Sequence, residues 1–177
     1  MPALTVAHTG HLDPATLVSA RALLDEAFGG AFSDSDWEHA LGGMHAVAFD
    51  GDRLVAHGSV VQRHMVHRGR ALRVGYVEAV AVAGDHRRRG LASAIMDELE
   101  QIIRGGYDLG ALSASDAGAA LYLSRGWQRW EGHTAVLTPA DTVRTPEEDG
   151  SVFVLPVTTA LDPAGELVCD WRDGDVW

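Results

Sequence analysis

The chain has 177 residues, of which 46% are hydrophobic and 22% charged. This composition excludes a disordered chain, and the length predicts one domain over residues 1–177 with a core of its own. No apolar run is long enough to cross a bilayer, so a membrane partner is not expected. With 14 Lys and Arg against 25 Asp and Glu, the net charge of −11 repels polyphosphate backbones and argues against nucleic acid as a partner.

The start of the chain has neither a basic region nor a continuous apolar segment, so no secretory signal is expected. The one cysteine, Cys169, has no partner for an internal disulfide, and we expect a small buried side chain rather than a nucleophile. Both observations favour a cytoplasmic protein.

The first half of the chain predicts a strand, two helices and then an antiparallel meander. Asp13 and Pro14 supply the N-cap and first residue of one helix, and Ser35 or Asp36 caps a shorter one. Turn signals at Asp50-Gly51-Asp52 and around Arg68-Gly69 separate the three meander strands. These strands are predicted at residues 44–49, 53–64 and 72–82.

The second half predicts a βαβ unit followed by a mixed pattern. Residues 90–104 carry apolar side chains at helical spacing, and residues 109–113 form a strand parallel to the last meander strand. A short helix at 117–125, a strand within 127–137, a loop over 138–150 and a strand at 152–155 follow. The fold class is therefore α+β, with a mixed, mostly antiparallel sheet flanked by helices.

The segment Arg87-Arg88-Arg89-Gly90-Leu91-Ala92 fits the pattern Arg-x-x-Gly-x-Ala between a strand and a helix. Backbone N–H groups at such a turn converge on an anion, and the helix dipole and the arginines add to the attraction. A solvated basic loop is the alternative interpretation. The position of the segment before the βαβ crossover favours the first interpretation, a diphosphate-binding loop.

The order of elements and this loop resemble the acetyl-CoA-dependent N-acetyltransferases of the GNAT superfamily. Further segments are similar to the class I aminoglycoside 2′-N-acetyltransferases, and together they cover nearly the whole chain. These segments are Asp36-Trp37-Glu38-His39, Gly75-Tyr76-Val77-Glu78, Ser124-Arg125-Gly126-Trp127 and the Trp-terminated tail from Cys169 to Trp177. The resemblance implies a GNAT fold, acetyl-CoA as co-substrate, an aminoglycoside or related polycationic amino sugar as partner, antibiotic resistance as the phenotype, and a homodimer.

The resemblance also implies catalytic roles. Glu78 would be the general base, Tyr122 the general acid, and the backbone N–H of Val80 the donor to the oxyanion. By strand alternation we expect the Glu78 side chain to point opposite to those of Val77 and Ala79. A solvent-facing Glu78 and a packing role for Tyr122 are the alternatives.

The binding residues divide into two groups. Those expected to bind acetyl-CoA are Val80, Ala81, Val82, Arg87, Arg88, Arg89, Gly90, Leu91, Ala92 and Ser93. Those expected to contact the aminoglycoside are Asp36, Glu78, Ala79, Ser113, Glu147, Glu148, Asp175 and Trp177, the last through its α-carboxylate. Ala31 stands where some relatives carry an acid, and Glu147 and Glu148 stand where relatives often have Asp, so the range of substrates is open.

Other catalytic chemistries find little support in the sequence. The nine histidines contain no His-x-x-x-His pair, so a metal site is not expected. No Gly-x-Ser-x-Gly motif appears, which favours direct transfer in a ternary complex over an acyl-enzyme. An enzyme acting on another polyamine or an endogenous amino sugar, and a non-catalytic module that binds acyl-CoA or the drug, remain alternatives.

Overall fold

The computed structural model describes residues 2–177. None of the helices within that range is long and apolar enough to span a membrane. The helices are α1 (Pro14–Ala27), α2 (Asp34–Ala40), α3 (Leu91–Gly106) and α4 (Asp116–Ser124). The strands are β1 (Ala3–His8), β2 (Met44–Asp50), β3 (Arg53–His67), β4 (Arg70–Val82), β5 (Leu109–Ser113), β6 (Gln128–Arg129), β7 (Thr134–Leu137), β8 (Thr142–Arg144), β9 (Val152–Pro156) and β10 (Leu167–Asp170).

The described chain packs as two compact units. The first comprises the described residues up to Val61 together with Val77–Ile102, and the second comprises Gln62–Tyr76 with Ile103–Trp177. Both β3 and β4 contribute residues to each unit.

In the first unit, antiparallel pairing joins β1 to β2 and β2 to the first part of β3. Helix α3 packs here through a buried apolar face that includes Ile95 and Leu99, both fully buried. Gly58 on β3 permits this approach, because a Cβ at that position would lie only 2.7 Å from the Ile95 side chain. The close contact fixes the helix whose N-terminus follows the arginine-rich loop.

The strands of the second unit follow the order β6-β9-β5-β4-β3-β10-β7-β8, in which neighbours are hydrogen-bonded to each other. The pairs β4–β5 and β7–β10 are parallel, whereas β5–β9, β6–β9, β3–β10 and β7–β8 are antiparallel. The α+β class and the mixed, mostly antiparallel sheet are therefore confirmed, as is the parallel pairing that closes the βαβ unit.

The caps of the first two helices test the sequence prediction directly. Asp13 caps α1 as predicted, with its Oδ1 accepting from the Thr16 N–H at 2.8 Å. The predicted cap of α2 is wrong, because Ser33, not Ser35 or Asp36, stands at the N-cap. Ser33 accepts from the Asp36 N–H while the Asp36 carboxylate accepts from the Ser33 N–H, which is the reciprocal arrangement of a capping box.

The late part of the chain contains more sheet than the sequence predicts. The segment predicted as a loop over 138–150 contains β8, which pairs with β7. The tail contains β10, which pairs with both β3 and β7. Both strands are short. β8 forms a hairpin with the nearby β7, whereas β10 pairs with strands far away in the chain, and local propensity gives little sign of either.

Candidate active site

The backbone of β4 departs from strand geometry at Ala79, where φ is +54°. A left-handed conformation costs a residue with a Cβ about 1–2 kcal/mol, so surrounding contacts must hold it. Side chains alternate only along extended backbone, so the expected alternation does not carry through Ala79. Glu78, Ala79 and Val80 are all half-buried.

A chain of buried side chains supports this irregular turn. The Nδ1 atom of His57 lies 2.8 Å from the Ala79 carbonyl oxygen, and its Nε2 atom lies 2.9 Å from Nδ1 of His45. The Nε2 atom of His45 is 2.8 Å from the hydroxyl of Thr9. Burial lowers the pKa of both imidazoles to about 4, so both rings are neutral near pH 7.

The arginine-rich loop lies between β4 and α3 and is exposed over residues 87–90. Its backbone is left-handed at Arg88 (φ +60°) and at Gly90 (φ +81°), and the first helical hydrogen bond runs from the Ala94 N–H to the Gly90 carbonyl. The N–H groups at this helix start have no intrahelical acceptors and carry the positive end of the helix dipole. The loop can therefore bind an anion such as a diphosphate.

His86, the residue just before this loop, is held in place by two carboxylates. Its Nε2 atom lies 2.9 Å from the Asp50 carboxylate and its Nδ1 atom lies 2.9 Å from the Asp85 carboxylate. Arg53 pairs with the same Asp85 at 2.7 Å. The hydrogen bonds to Asp50 and Asp85 raise the pKa of His86, which favours the imidazolium form in the folded protein.

Tyr122 lies on α4 in the second unit, and its ring is buried. The rings of Trp127 and Phe153 each lie 6.0 Å from it, centroid to centroid. Burial raises the pKa of the hydroxyl to about 12, so it keeps its proton near pH 7. A protonated phenol suits a group that must give a proton to a leaving thiolate.

Acidic side chains line a cavity of about 480 Å³ in the second unit. Ser113, at the end of β5, donates its hydroxyl to the Glu148 carboxylate at 3.0 Å. Partial burial, and then the nearby Asp175 and Glu147 carboxylates, raise the pKa of Glu148. Carboxylates that repel one another bind a cation favourably, because it relieves the repulsion. The lining includes Thr145, Glu147, Glu148, Trp171, Asp175 and Val176.

The C-terminal tail docks through specific contacts. The indole N–H of Trp177 donates to the Thr145 hydroxyl at 2.9 Å, and the ring is buried. Arg172 donates to the main-chain oxygen of Trp177 at 2.9 Å. Arg63, itself buried, bonds to Asp170 and to the Val176 carbonyl. These contacts hold Asp175 at the acidic cavity.

The structure brings several of the predicted residues together within each unit. In the first, Glu78 to Val82 end the strand that leads to the arginine-rich loop. In the second, Glu147, Glu148 and Asp175 line one cavity, and Ser113 donates a hydrogen bond to Glu148. Asp36 lies at the start of α2, where one of its oxygens is used in the capping box.

Sequence reasoning missed three groups that shape these regions. The spacing of the histidines excludes a helical metal pair but does not reveal that His45 and His57 meet between two strands. Thr145 and Arg63 hold the tail, but their partners are 32 and 107 residues away. Trp171 lines the acidic cavity with a side chain that is about half exposed, and no local pattern distinguishes it from the other tail residues.

The sequence family described as "Acetyltransferase (GNAT) domain" matches residues 11–130. A curated aminoglycoside 2′-N-acetyltransferase from Mycolicibacterium fortuitum is 58% identical over 174 residues, which cover 96% of this chain and 89% of that protein.

Two solved structures show the fold. The GNAT family N-acetyltransferase YhbS from Escherichia coli, in complex with CoA, aligns with a TM-score of 0.66 at 17% identity, covering 95% of this chain and 89% of that one. A GCN5-related N-acetyltransferase from Kribbella flavida aligns with a TM-score of 0.60 at 22% identity, over 75% of this chain and 34% of that one. The present chain thus matches only about a third of the latter protein's length.

These findings confirm the GNAT fold that the resemblance implies. The chain belongs to the GNAT acetyltransferases and, within them, to the family of aminoglycoside 2′-N-acetyltransferases. It is thus an acyltransferase.

Proposed function

We propose that this protein transfers the acetyl group of acetyl-CoA to the 2′-amine of an aminoglycoside, directly and within a ternary complex. The observation that carries the proposal is the cavity lined by Glu147, Glu148 and Asp175 in a chain of this family. An aminoglycoside presents several ammonium groups, and clustered carboxylates in a concave surface suit such a ligand. Acetylation removes one positive charge from the drug, which weakens its binding to RNA and confers resistance.

Acetyl-CoA is proposed to bind along the end of β4 and at the start of α3. Backbone groups of Val80, Ala81 and Val82 would hold the pantetheine arm like an added strand. The diphosphate would lie at the arginine-rich loop, where the left-handed residues Arg88 and Gly90 shape the turn. The loop residues involved are Arg87, Arg88, Arg89, Gly90, Leu91, Ala92 and Ser93.

The proposed chemistry begins with an amine that must be neutral to attack, although an aliphatic amine is almost fully protonated near pH 7. Glu78 takes the proton, directly or through a water, and the nitrogen attacks the thioester carbonyl carbon. The backbone N–H of Val80 stabilises the resulting oxyanion. The oxyanion then reforms the carbonyl as the carbon–sulfur bond breaks, and Tyr122 gives its proton to the CoA sulfur. The proton that remains on the attacking nitrogen passes to the Tyr122 oxygen, which leaves a neutral amide.

The substrate contacts proposed for this chain lie in both units. Asp36, Glu78 and Ala79 belong to the first, whereas Ser113, Glu147, Glu148, Asp175 and Trp177 belong to the second. We further propose a single domain that acts as a cytoplasmic homodimer. Sedimentation at the mass of one 18.9 kDa chain would contradict the dimer.

The decisive assay measures CoA thiol release with aminoglycosides that differ at the 2′ position. Gentamicin and tobramycin carry an amine there, whereas kanamycin A and amikacin carry a hydroxyl. We expect turnover with the first pair only, and equal turnover with both pairs would move the reaction to another amine. Turnover with neither pair, while acetyl-CoA still binds, would favour another polyamine substrate or a non-catalytic module.

Replacement of the proposed base gives a second test. Glu78→Gln keeps the size of the side chain but removes its basicity, so we expect kcat to fall about 10²-fold or more. The KM for acetyl-CoA should stay near the wild-type value. Glu38→Gln, at an exposed position of α2, is the matched control. Unchanged kcat in Glu78→Gln would remove Glu78 from the mechanism.

A further inference from the structure

The left-handed turn at Ala79 lies between two residues of the proposed catalytic apparatus, Glu78 and Val80. Side chains of β3, rather than backbone alone, reach the carbonyls on this turn. His57 contacts the Ala79 oxygen at 2.8 Å, and the Ser59 hydroxyl lies 3.5 Å from the Glu78 oxygen. The orientation of the turn therefore depends on the side chains of His57 and Ser59 on β3.

The hydrogen bonds along the histidine pair have a fixed direction. A carbonyl oxygen only accepts, so Nδ1 of His57 carries the proton and donates to Ala79. In the neutral ring Nε2 of His57 must then accept from Nδ1 of His45, and Nε2 of His45 must accept from the Thr9 hydroxyl. Thr9 in turn accepts from the Gly42 N–H at 2.9 Å. One consistent set of tautomers satisfies every group.

The environment of the pair keeps this arrangement intact. Both rings are fully buried, and their lowered pKa values keep them neutral under assay conditions. Trp37 on α2 is adjacent in sequence to Asp36, and the centroid of its ring lies 6.3 Å from that of the His57 ring. His57 is thus in contact with the turn at Ala79 on one side and lies near the helix of a proposed substrate residue on the other.

We propose that His57 is a positioning residue for acetyl transfer, oriented by His45 and Thr9, and that it sets Glu78 and the Val80 N–H by fixing the Ala79 carbonyl. The inference rests on the proposed function of Glu78 and Val80. It assigns His57 no contact with either substrate and no proton transfer.

Two amide substitutions separate positioning from simple packing. The side-chain nitrogen of Asn imitates Nδ1 of histidine and can donate to the Ala79 carbonyl, whereas that of Gln imitates Nε2 and cannot reach it. We therefore expect His57→Asn to keep kcat within about threefold of wild type, and His57→Gln to lose on the order of 10–100-fold, since a small misplacement at a reacting centre costs up to about 10²-fold. The KM for acetyl-CoA should change little in both.

His67 provides a matched control in the second unit. It is also buried, its Nδ1 lies 2.8 Å from the Glu166 carbonyl, and its Nε2 accepts from the Asp162 N–H at 3.2 Å. His67→Asn and His67→Gln should lower the thermal midpoint as the His57 variants do, but leave kcat unchanged.

The outcomes distinguish this inference from the proposed function. Wild-type turnover of 2′-amino aminoglycosides tests the function, and the ratio of kcat between His57→Gln and His57→Asn tests the positioning role with whichever amine the enzyme accepts. Equal kcat in the two folded His57 variants would overturn the inference, as would equal losses in the His57 and His67 pairs. Should His57→Gln fail to fold, Thr9→Val must lower kcat severalfold relative to Thr9→Ser, and equal values would also overturn it.

Discussion

At the residue scale, Tyr122 combines a packing role with a chemical one, and the two can be separated. Its ring packs near Trp127 and Phe153, so Tyr122→Phe keeps the packing and removes only the hydroxyl. Loss of a general acid predicts a fall in kcat of about 10²-fold, with the thermal midpoint little changed. Steady-state kinetics and thermal unfolding check this. Tyr107→Phe is the control, and a comparable loss of kcat there would contradict the assignment.

Glu148 is the acidic residue whose contacts are best defined. Glu148→Gln keeps the contact with Ser113 but removes one charge from the cavity it shares with Glu147 and Asp175. We expect the KM for the aminoglycoside to rise about 10-fold, because a charge-assisted hydrogen bond is replaced by a neutral one. The KM for acetyl-CoA should not change. Glu131→Gln, exposed in the same unit, should leave both KM values unaltered.

The sequence predicts these residues unequally well. The resemblance implies substrate contacts at Ser113, Glu147, Glu148 and Asp175. The structure brings the last three to one cavity and bonds Ser113 to Glu148. The left-handed Ala79 could not be predicted, since alanine has no preference for that conformation and the flanking residues suit a strand. The turn depends on contacts with another strand, which a pattern along one segment does not contain.

At the scale of elements, the loop before α3 depends on one glycine. Gly90 has φ +81°, and a side chain there would cost about 1–2 kcal/mol in the folded conformation. Gly90→Ala should therefore raise the KM for acetyl-CoA severalfold, while kcat and the aminoglycoside KM change little. Gly84→Ala is the control, because φ at Gly84 is ordinary and a Cβ there meets no atom within 4 Å. Equal effects of both substitutions would show that the Gly90 turn is not needed for binding.

Elements with a strong internal pattern are the ones the sequence predicts well. Helix α3 has an apolar face of regular spacing, and β2 to β4 are separated by clear turn signals. The cap of α2 was misplaced by two or three residues because Ser33, Ser35 and Asp36 are all good caps. Short strands such as β8 and β10 were missed because pairing, not propensity, defines them.

At the scale of the whole molecule, the buried histidines make stability depend on pH. The pKa values of His45 and His57 fall from 6.5 to about 4 on folding, so the unfolded chain binds more protons between these values. The contribution of this pair to the free energy of unfolding should therefore be complete above pH 6.5 and decrease as the pH falls, by up to about 1.4 kcal/mol per unit for each ring.

Urea unfolding between pH 6.5 and 5 measures this dependence. His86 has a raised pKa, so its contribution is complete below its unfolded pKa of 6.5 and is lost only as the pH rises above that value. The interval chosen therefore excludes His86, and the comparison with His57→Asn separates the buried pair from Glu148, whose raised pKa also affects proton binding above pH 4.5. A slope unchanged in His57→Asn would contradict the assignment of the pH dependence to this pair.

The net charge of −11 predicts that salt lowers kcat/KM more for a polycationic acceptor than for an acceptor with a single amine. An acidic protein attracts a polycation over a distance that salt shortens to about 10 Å at 0.1 M. We expect kcat/KM for tobramycin to fall steeply between 50 and 500 mM NaCl. For glucosamine, which has a single amine, any turnover should depend less on salt. Equal salt dependence for the two acceptors would exclude a role for long-range attraction.

The buried thiol of Cys169 has a consequence for how this molecule opens. It lies on β10, donates to the Val176 carbonyl at 3.3 Å, and burial raises its pKa to about 11. Because the thiolate is the reactive form, alkylating reagents should modify the folded protein only when the tail separates from the strand. Cys169 is the only cysteine of the chain. The rate at which it is labelled, with and without bound drug, would therefore report how often the tail separates from the strand.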